Sequence, residues 1–291
     1  MLLQQIINGL TQGSIYALIA IGFALIFGVL GLVNFAHGEV YMVGAFLGFI
    51  FVTVYHFPIV VSLILAMLGA ALLGVIIEVI AFRTLRRAPD VAPMVCTLGL
   101  SVVLQNAAML GWGAGTQSIP EDSFTFAFFP VFNAQVSNIQ LLIFGVAVAL
   151  MAGLQFVLYK SRIGKAIRAT AQNKDAASLM GININRVIAA TFALGSALGG
   201  AAGVLIGVYY NAFYPMMGFM AGMKAFTATV LGGLTSVPGA VLGGLILGVV
   251  ENLGAAYISS GYRDLIAFII LILVLLIKPS GLFGRDTQGK V

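Results

Sequence analysis

The chain has 291 residues, 61% of them apolar and 8% charged, with a formal net charge of +5 and a mean hydropathy of +1.10. Soluble domains average about 25% charged residues. No soluble fold of this length hides so much apolar surface, so the composition specifies a polytopic membrane protein and excludes a soluble enzyme. The basic residues fall in the gaps between apolar runs and do not interleave with aromatics, so they set orientation and do not form a nucleic-acid face.

A membrane-spanning helix needs about 20 apolar residues. In chain order the candidate spans are Leu10–Val33, Val40–Tyr55, Ile59–Phe82, Val91–Trp112, Ile139–Tyr159, Val187–Tyr209, Pro215–Leu231, Ala240–Tyr257 and Leu265–Ile277. Several are short or broken by glycine. The expected fold is an all-α integral membrane protein, a polytopic helical bundle of about 8–10 membrane segments. The runs are continuous, where a barrel strand would alternate over about ten residues.

The first apolar run has no basic residue before it; the first in the chain is Arg83. That argues against a cleaved leader and for a hydrophobic run that is retained. The run is interrupted by Asn34-Phe-Ala-His37-Gly38-Glu39. Two readings fit: an interfacial loop, or a polar helix break lining a substrate path, since ionisable groups within a membrane are costly and usually functional. Whether this stretch is a full turn or a break within one helix decides the side on which the N-terminus lies. Glu78 stands near Arg83 and is expected to snorkel toward the interface.

Arg83, Arg86 and Arg87 mark one inside loop, Lys160–Arg186 a second, and Lys278, Arg285 and Lys290 an inside C-terminus. Together these hold 12 of the 14 basic residues, which sets the orientation. The stretch from Gly113 to Asn138 has no Lys or Arg, carries Glu121 and Asp122, and reads as outside. Cys96, the single cysteine, allows no internal disulfide and reads as a small buried helix residue.

Glycine recurs at helix-contact spacing: Gly195, Gly199, Gly203 and Gly207, then Gly239 and Gly243, with Gly244 and Gly248 beside them. Small residues four apart allow close helix approach in membranes. Gly232-Gly233 with Pro238-Gly239 breaks a helix and is expected to end a short or re-entrant one. Glu251-Asn252 lies deep in an apolar context, where path lining and helix–helix bonding both fit.

The sequence contains no P-loop, since Gly164-Lys165 is followed by alanine, and it lacks H-E-x-x-H and G-x-S-x-G. Catalytic, metal and cofactor sites are therefore expected to be absent. Energised work by this chain would draw on an ion gradient or on a partner.

The stretch from Tyr159 to Arg186 is the most informative. It holds six basic residues, Lys160, Arg162, Lys165, Arg168, Lys174 and Arg186, against one acid, Asp175. Asp175-Ala176-Ala177 suits a helix start and Gly181 its end. Small side chains there let a partner surface come close.

Asp175-Ala-Ala-x-x-x-Gly181 resembles the E-A-A-x-x-x-G coupling loop of ABC-importer permeases, with Asp where the general motif has Glu. The fuller string from Gly164-Lys-Ala-Ile-Arg168 through Asn173 to Met180-Gly181-Ile182 resembles the permease family of branched-chain amino acid importers, specifically its high-affinity H-type subunit. The same resemblance is carried by Asn8-Gly-Leu-x-x-Gly13-Ser-Ile-Tyr16, by Val33-Asn34-Phe-Ala-His37-Gly38-Glu39, by Gly232-Gly233 with Pro238-Gly-Ala, and by Lys278-Pro279-x-Gly281-Leu-Phe-Gly284. It covers nearly the whole chain.

The resemblance implies an ABC-importer permease type with broken or re-entrant helices, residues 1–291 forming a single transmembrane permease domain and residues 160–186 its cytoplasmic coupling loop. It implies a multi-pass protein of the bacterial inner membrane, not itself an enzyme, that carries Leu, Ile and Val; relatives carry urea or short-chain amides. The implied partners are a homologous second permease, two ATP-binding subunits that use the ATP, and an external solute-binding protein. The coupling residues would be Gly164, Arg168, Asp175, Ala176, Ala177 and Gly181. Asn34, His37, Glu39, Glu251 and Asn252 are the candidate translocation path. A competing class is an ion-coupled secondary transporter working through Glu39, Glu78 or Glu251. A channel would be the third.

Overall fold

The computed structural model describes residues 1–86, 88–120, 127–131 and 133–284. Arg87, Glu121, Asp122, Arg285 and Lys290, all used above to orient the chain, lie outside them.

The helices follow the apolar runs: α1 (Leu2–Leu30), α2 (His37–Thr53), α3 (Ile59–Ile77), α4 (Val91–Trp112), α5 (Asn138–Lys160), α6 (Arg162–Gln172), α7 (Lys174–Leu179), α8 (Ile184–Tyr210), α9 (Met217–Gly232), α10 (Val237–Tyr257) and α11 (Arg263–Ile277). Seven helical stretches among the described residues are long and apolar enough to cross a membrane. Helices α2 and α9, of 17 and 16 residues, are apolar but shorter. The fold is not purely helical. Strands β1 (Phe128–Val131) and β2 (Ala134–Ser137) pair antiparallel, because the stretch before α5 supplies short extended segments that the long hydropathy runs did not reveal.

The two ends of the bundle are distinguishable by contact. Gln4 near the start of α1 exchanges hydrogen bonds with the Gln135 backbone of the hairpin, at 3.0 and 2.8 Å. The last turn of α1 meets the basic segment, where Lys174 Nζ donates to the Leu30 carbonyl at 3.0 Å. Helix α1 therefore runs from the hairpin end to the basic end. Phe46 of α2 stacks on Trp112 at the far end of α4, with centroids 4.5 Å apart, so α2 runs back toward the hairpin end. The chain thus reverses direction over residues 31–36, between antiparallel helices, and His37, Gly38 and Glu39 form the first turn of α2. The N-terminus lies at the hairpin end. Phe283 lines a cavity with Arg168 of α6, so residues 279–284 are at the basic end.

Helices α1 and α8 form the centre; their most apolar stretches are 83% and 72% buried, against 17% for α4 and 6% for the α11 stretch. The difference follows from composition. The central pair is dense in Gly and Ala, which allow close backbone approach, whereas α4 and α11 leave Leu, Ile and Val on their outer faces, as lipid requires. Gly9 and Gly13 of α1 pack against Gly244, Leu245, Gly248 and Val249 of α10. The glycine row of α8 serves the same purpose: Gly195 abuts Gly22, Gly199 faces His37, Gly203 backs onto the Tyr41 backbone, and Gly207 meets the Phe213 ring. At the expected break, α9 stops at Gly232, Gly233 takes φ +114°, and α10 starts with Pro238 in its first turn.

Glu78 does not snorkel. Its side chain is fully buried, and the arginines come to it: Arg83 binds it through two nitrogens at 3.2 and 2.6 Å, with Arg86 at 3.8 Å. A π-helical turn over Glu78–Arg83 brings positions five apart onto one face, which an α-helical turn would not.

Candidate functional site

At the basic end, α6 and α7 form a compact helical corner. Ser161 caps α6 by accepting from the Gly164 N–H at 3.0 Å, and Gly164 packs onto the Leu158 backbone of α5. The Arg168 guanidinium lies 4.7 Å from the centre of the Tyr159 ring. Asn173 caps α7 by accepting from the Ala176 N–H at 2.9 Å, and Asp175 sits in its first turn, where a carboxylate favours the helix dipole. Ala177 is buried. Gly181 closes α7 at φ +81°, with the Gly181 and Ile182 N–H groups returning to the Ser178 and Ala177 carbonyls at 3.0 and 3.1 Å. The helix presents Leu179 and Met180, 89% and 83% exposed. Leu179 and Met180 are thus an exposed apolar pair at the end of a capped helix on a basic surface.

The turn after α1 carries a second polar group into the bundle. Asn34, His37 and Glu39 are all buried. Asn34 Oδ1 accepts from the Ala36 N–H at 3.1 Å. The His37 ring meets Phe23 edge-on at 4.8 Å. Glu39 Oε1 accepts from Ser101 Oγ at 2.9 Å and Gln105 Nε2 at 2.8 Å, while Gly38 lies against the backbone of Gly218 and Gly222 in α9. This group knits α2 to α4, α8 and α9.

The third group lies toward the hairpin end, between α1, α9, α10 and α11. Lys224 Nζ is 2.8 Å from Glu251 Oε1 and 2.7 Å from Asp264 Oδ1. Tyr16 OH donates to Glu251 Oε2 at 2.9 Å. Asn252 Nδ2 donates to Gln12 Oε1 at 3.0 Å, and Tyr210 OH reaches the same oxygen at 3.3 Å. Glu251 is fully buried; its two oxygens have cationic and hydroxyl donors, as a charge in low dielectric requires. The cluster borders a cavity of about 270 Å³ lined by Gln12, Tyr16, Tyr41, Tyr210, Tyr214 and Lys224, among others.

The five candidate path residues therefore fall into two separate groups, Asn34–His37–Glu39 and Glu251–Asn252. Lys224, Gln12, Tyr16 and Asp264 were not singled out from the sequence. Lys224 had a readable signal, as an isolated cation within an apolar run; of its two partners, Glu251 was singled out from the sequence and Asp264 was not.

Residues 5–275 match the family described as branched-chain amino acid transport system / permease component. The chain is 44% identical to the high-affinity branched-chain amino acid transport system permease protein BraD of Pseudomonas aeruginosa, over 99% of this chain and 98% of that protein. It is 41% identical to the corresponding LivH protein of Escherichia coli, over 99% and 97%. A chain in the structure of PsaBC from Streptococcus pneumoniae in complex with Fab is similar in fold, with a TM-score of 0.51 over 94% of this chain and 91% of that one, at 13% identity.

Proposed function

The chain belongs to the permease family of branched-chain amino acid transport systems, and from that premise we propose that it is the membrane-spanning subunit of an ATP-driven importer of Leu, Ile and Val in a bacterial inner membrane. The basic end, with residue 284, faces the cytoplasm, in keeping with the positive-inside rule. The hairpin end faces outward, toward a solute-binding protein. A second, homologous permease completes the pathway, and two ATP-binding subunits supply the energy.

The observation that carries this proposal is α7. It is capped at both ends, buries Ala177, and displays Leu179 and Met180. Its link from Lys174 to the Leu30 carbonyl joins the docking surface to the end of the central helix α1. In the proposed mechanism, closure of the ATPase pair moves α7, and α7 moves α1, which packs on α8, α9 and α10. The chain's own residues thus transmit force and perform no bond chemistry.

The test is leucine uptake into ATP-loaded liposomes that hold this chain with its partner permease, ATPases and binding protein. Uptake that requires both ATP and the binding protein supports the proposal, and competition by valine against urea or a short amide assigns the substrate branch. Uptake driven by a proton or sodium gradient without ATP would replace it with a secondary transporter.

A further inference from the structure

Lys224 is the only basic residue between Arg186 and Arg263, and it borders a cavity. An ammonium has three donors. Two are engaged by Glu251 and Asp264 at 2.8 and 2.7 Å, leaving the third for the cavity that Lys224 lines. Of the charged groups in this cluster Lys224 is the one that lines the cavity, with Glu251 and Asp264 standing behind it. Gln12 and Tyr16 add a polar amide and a hydroxyl to the same end.

The remaining walls differ in character. Ile15, Ile19, Ile206, Met217, Met220 and Ala221 are apolar, and Tyr41, Tyr210 and Tyr214 contribute aromatic rings. Pockets for drug-sized ligands run to about 300–1,000 Å³, so a cavity of about 270 Å³ accepts one small molecule. An apolar chamber with an ammonium at one end and tyrosine rings around it is complementary to a small amino acid carrying an aliphatic side chain, the ammonium facing its carboxylate and the ring faces its amino group.

We propose that this cavity between α1, α2, α8 and α9 is a binding site, within the permease itself, for the aliphatic amino acid in transit. The ligand carboxylate takes the free donor of Lys224. Its ammonium lies on the tyrosine side, where the ring faces of Tyr41, Tyr210 and Tyr214 favour a cation. The branched side chain rests on Ile15, Ile19, Met217 and Ala221. The site rests on the importer proposal above and adds to it a second point of selection after the binding protein.

The test uses the assembled transporter. Labelled leucine is bound at equilibrium to the wild-type complex without binding protein, with valine, leucinol and isovalerate as competitors. Displacement by valine, and failure of leucinol and isovalerate, which each lack one charge, is expected. In parallel, Ala221→Phe and the milder Ala221→Val fill the chamber while leaving the charges alone. Either that assembles should lower leucine relative to alanine uptake about tenfold, the scale at which a hydrophobic pocket discriminates by size. No leucine binding by the wild-type complex, or an unchanged leucine-to-alanine ratio in an assembled variant, overturns the site and makes the cluster a helix clamp. The importer proposal survives if that same wild-type complex imports leucine with ATP. A wild-type complex that imports no branched-chain amino acid overturns both.

Discussion

The Lys224 ammonium stands 2.8 Å from Glu251 Oε1, joining α9 to α10 in the bundle. Removing one member of a buried pair strands the other charge, at a cost of about 3–5 kcal/mol. Lys224→Met should therefore lower the thermal stability of the detergent-solubilised complex strongly. The double variant Lys224→Met with Glu251→Gln should recover most of the loss, since no buried charge is then left alone and Asp264, 51% exposed, is solvated. Equal instability of single and double variants would show that the pair contributes through packing and not through charge.

Gly181 sits at φ +81°, a conformation that side-chain-bearing residues adopt at a cost of about 1–2 kcal/mol. Nothing lies within 4 Å of a methyl built there, so the fold has room and the strain is local to the end of α7. Gly181→Glu adds charge and bulk beside Leu179 and Met180. It should leave assembly of the permease pair intact and cut ATP-driven uptake at least tenfold, with binding of solute by the external protein unchanged. Uptake assays with a pull-down of the ATPase subunits check this; normal uptake by the variant would remove α7 from the docking surface.

What was legible in the sequence was local. The nine apolar runs became nine apolar helices because hydropathy over a span length is a property of each segment alone. Asp175–Gly181 was readable for the same reason, since caps and glycine stops act within one turn. Pairings between distant segments were not readable. Lys224, Glu251 and Asp264 lie on three helices, and no spacing rule connects them. The neighbourhood of Glu78 and Arg83 was legible, but not that the carboxylate is fully buried with the arginine reaching in to it, because the π-helical turn that aligns them departs from the α-helical period. The hairpin of β1 and β2 was missed because four-residue strands carry too little pattern to stand out beside runs of 20.

Lys174 donates to the Leu30 carbonyl at 3.0 Å, one of the four carbonyls that a helix end leaves without an internal partner. The bond is exposed, so its worth to stability is small. Its consequence is mechanical: it is a direct polar link between α7 and α1. Lys174→Met should leave thermal stability within about 0.5 kcal/mol while lowering the number of leucine molecules imported per ATP hydrolysed. Measured uptake and phosphate release on the same liposomes give that ratio, and an unchanged ratio would mean that force reaches α1 through α6 instead.

Glu39 is buried between α2, α4 and α9 and lines neither the cavity shared by Phe283 and Arg168 nor the one beside Lys224. Its Oε1 accepts from Ser101 and Gln105 at 2.9 and 2.8 Å. A glutamine keeps one carbonyl oxygen for those donors and nearly the same shape, whereas alanine strands both donors and leaves a cavity. Glu39→Gln should therefore support uptake near the wild-type rate, and Glu39→Ala should cost about 2–6 kcal/mol of stability, from two unsatisfied donors at about 1–3 kcal/mol each. Melting curves and initial uptake rates separate the two effects. A Glu39→Gln variant that assembles with unchanged melting but loses most of its uptake would put this carboxylate on the translocation path, and would mean that the turn between α1 and α2 moves during the cycle to expose it.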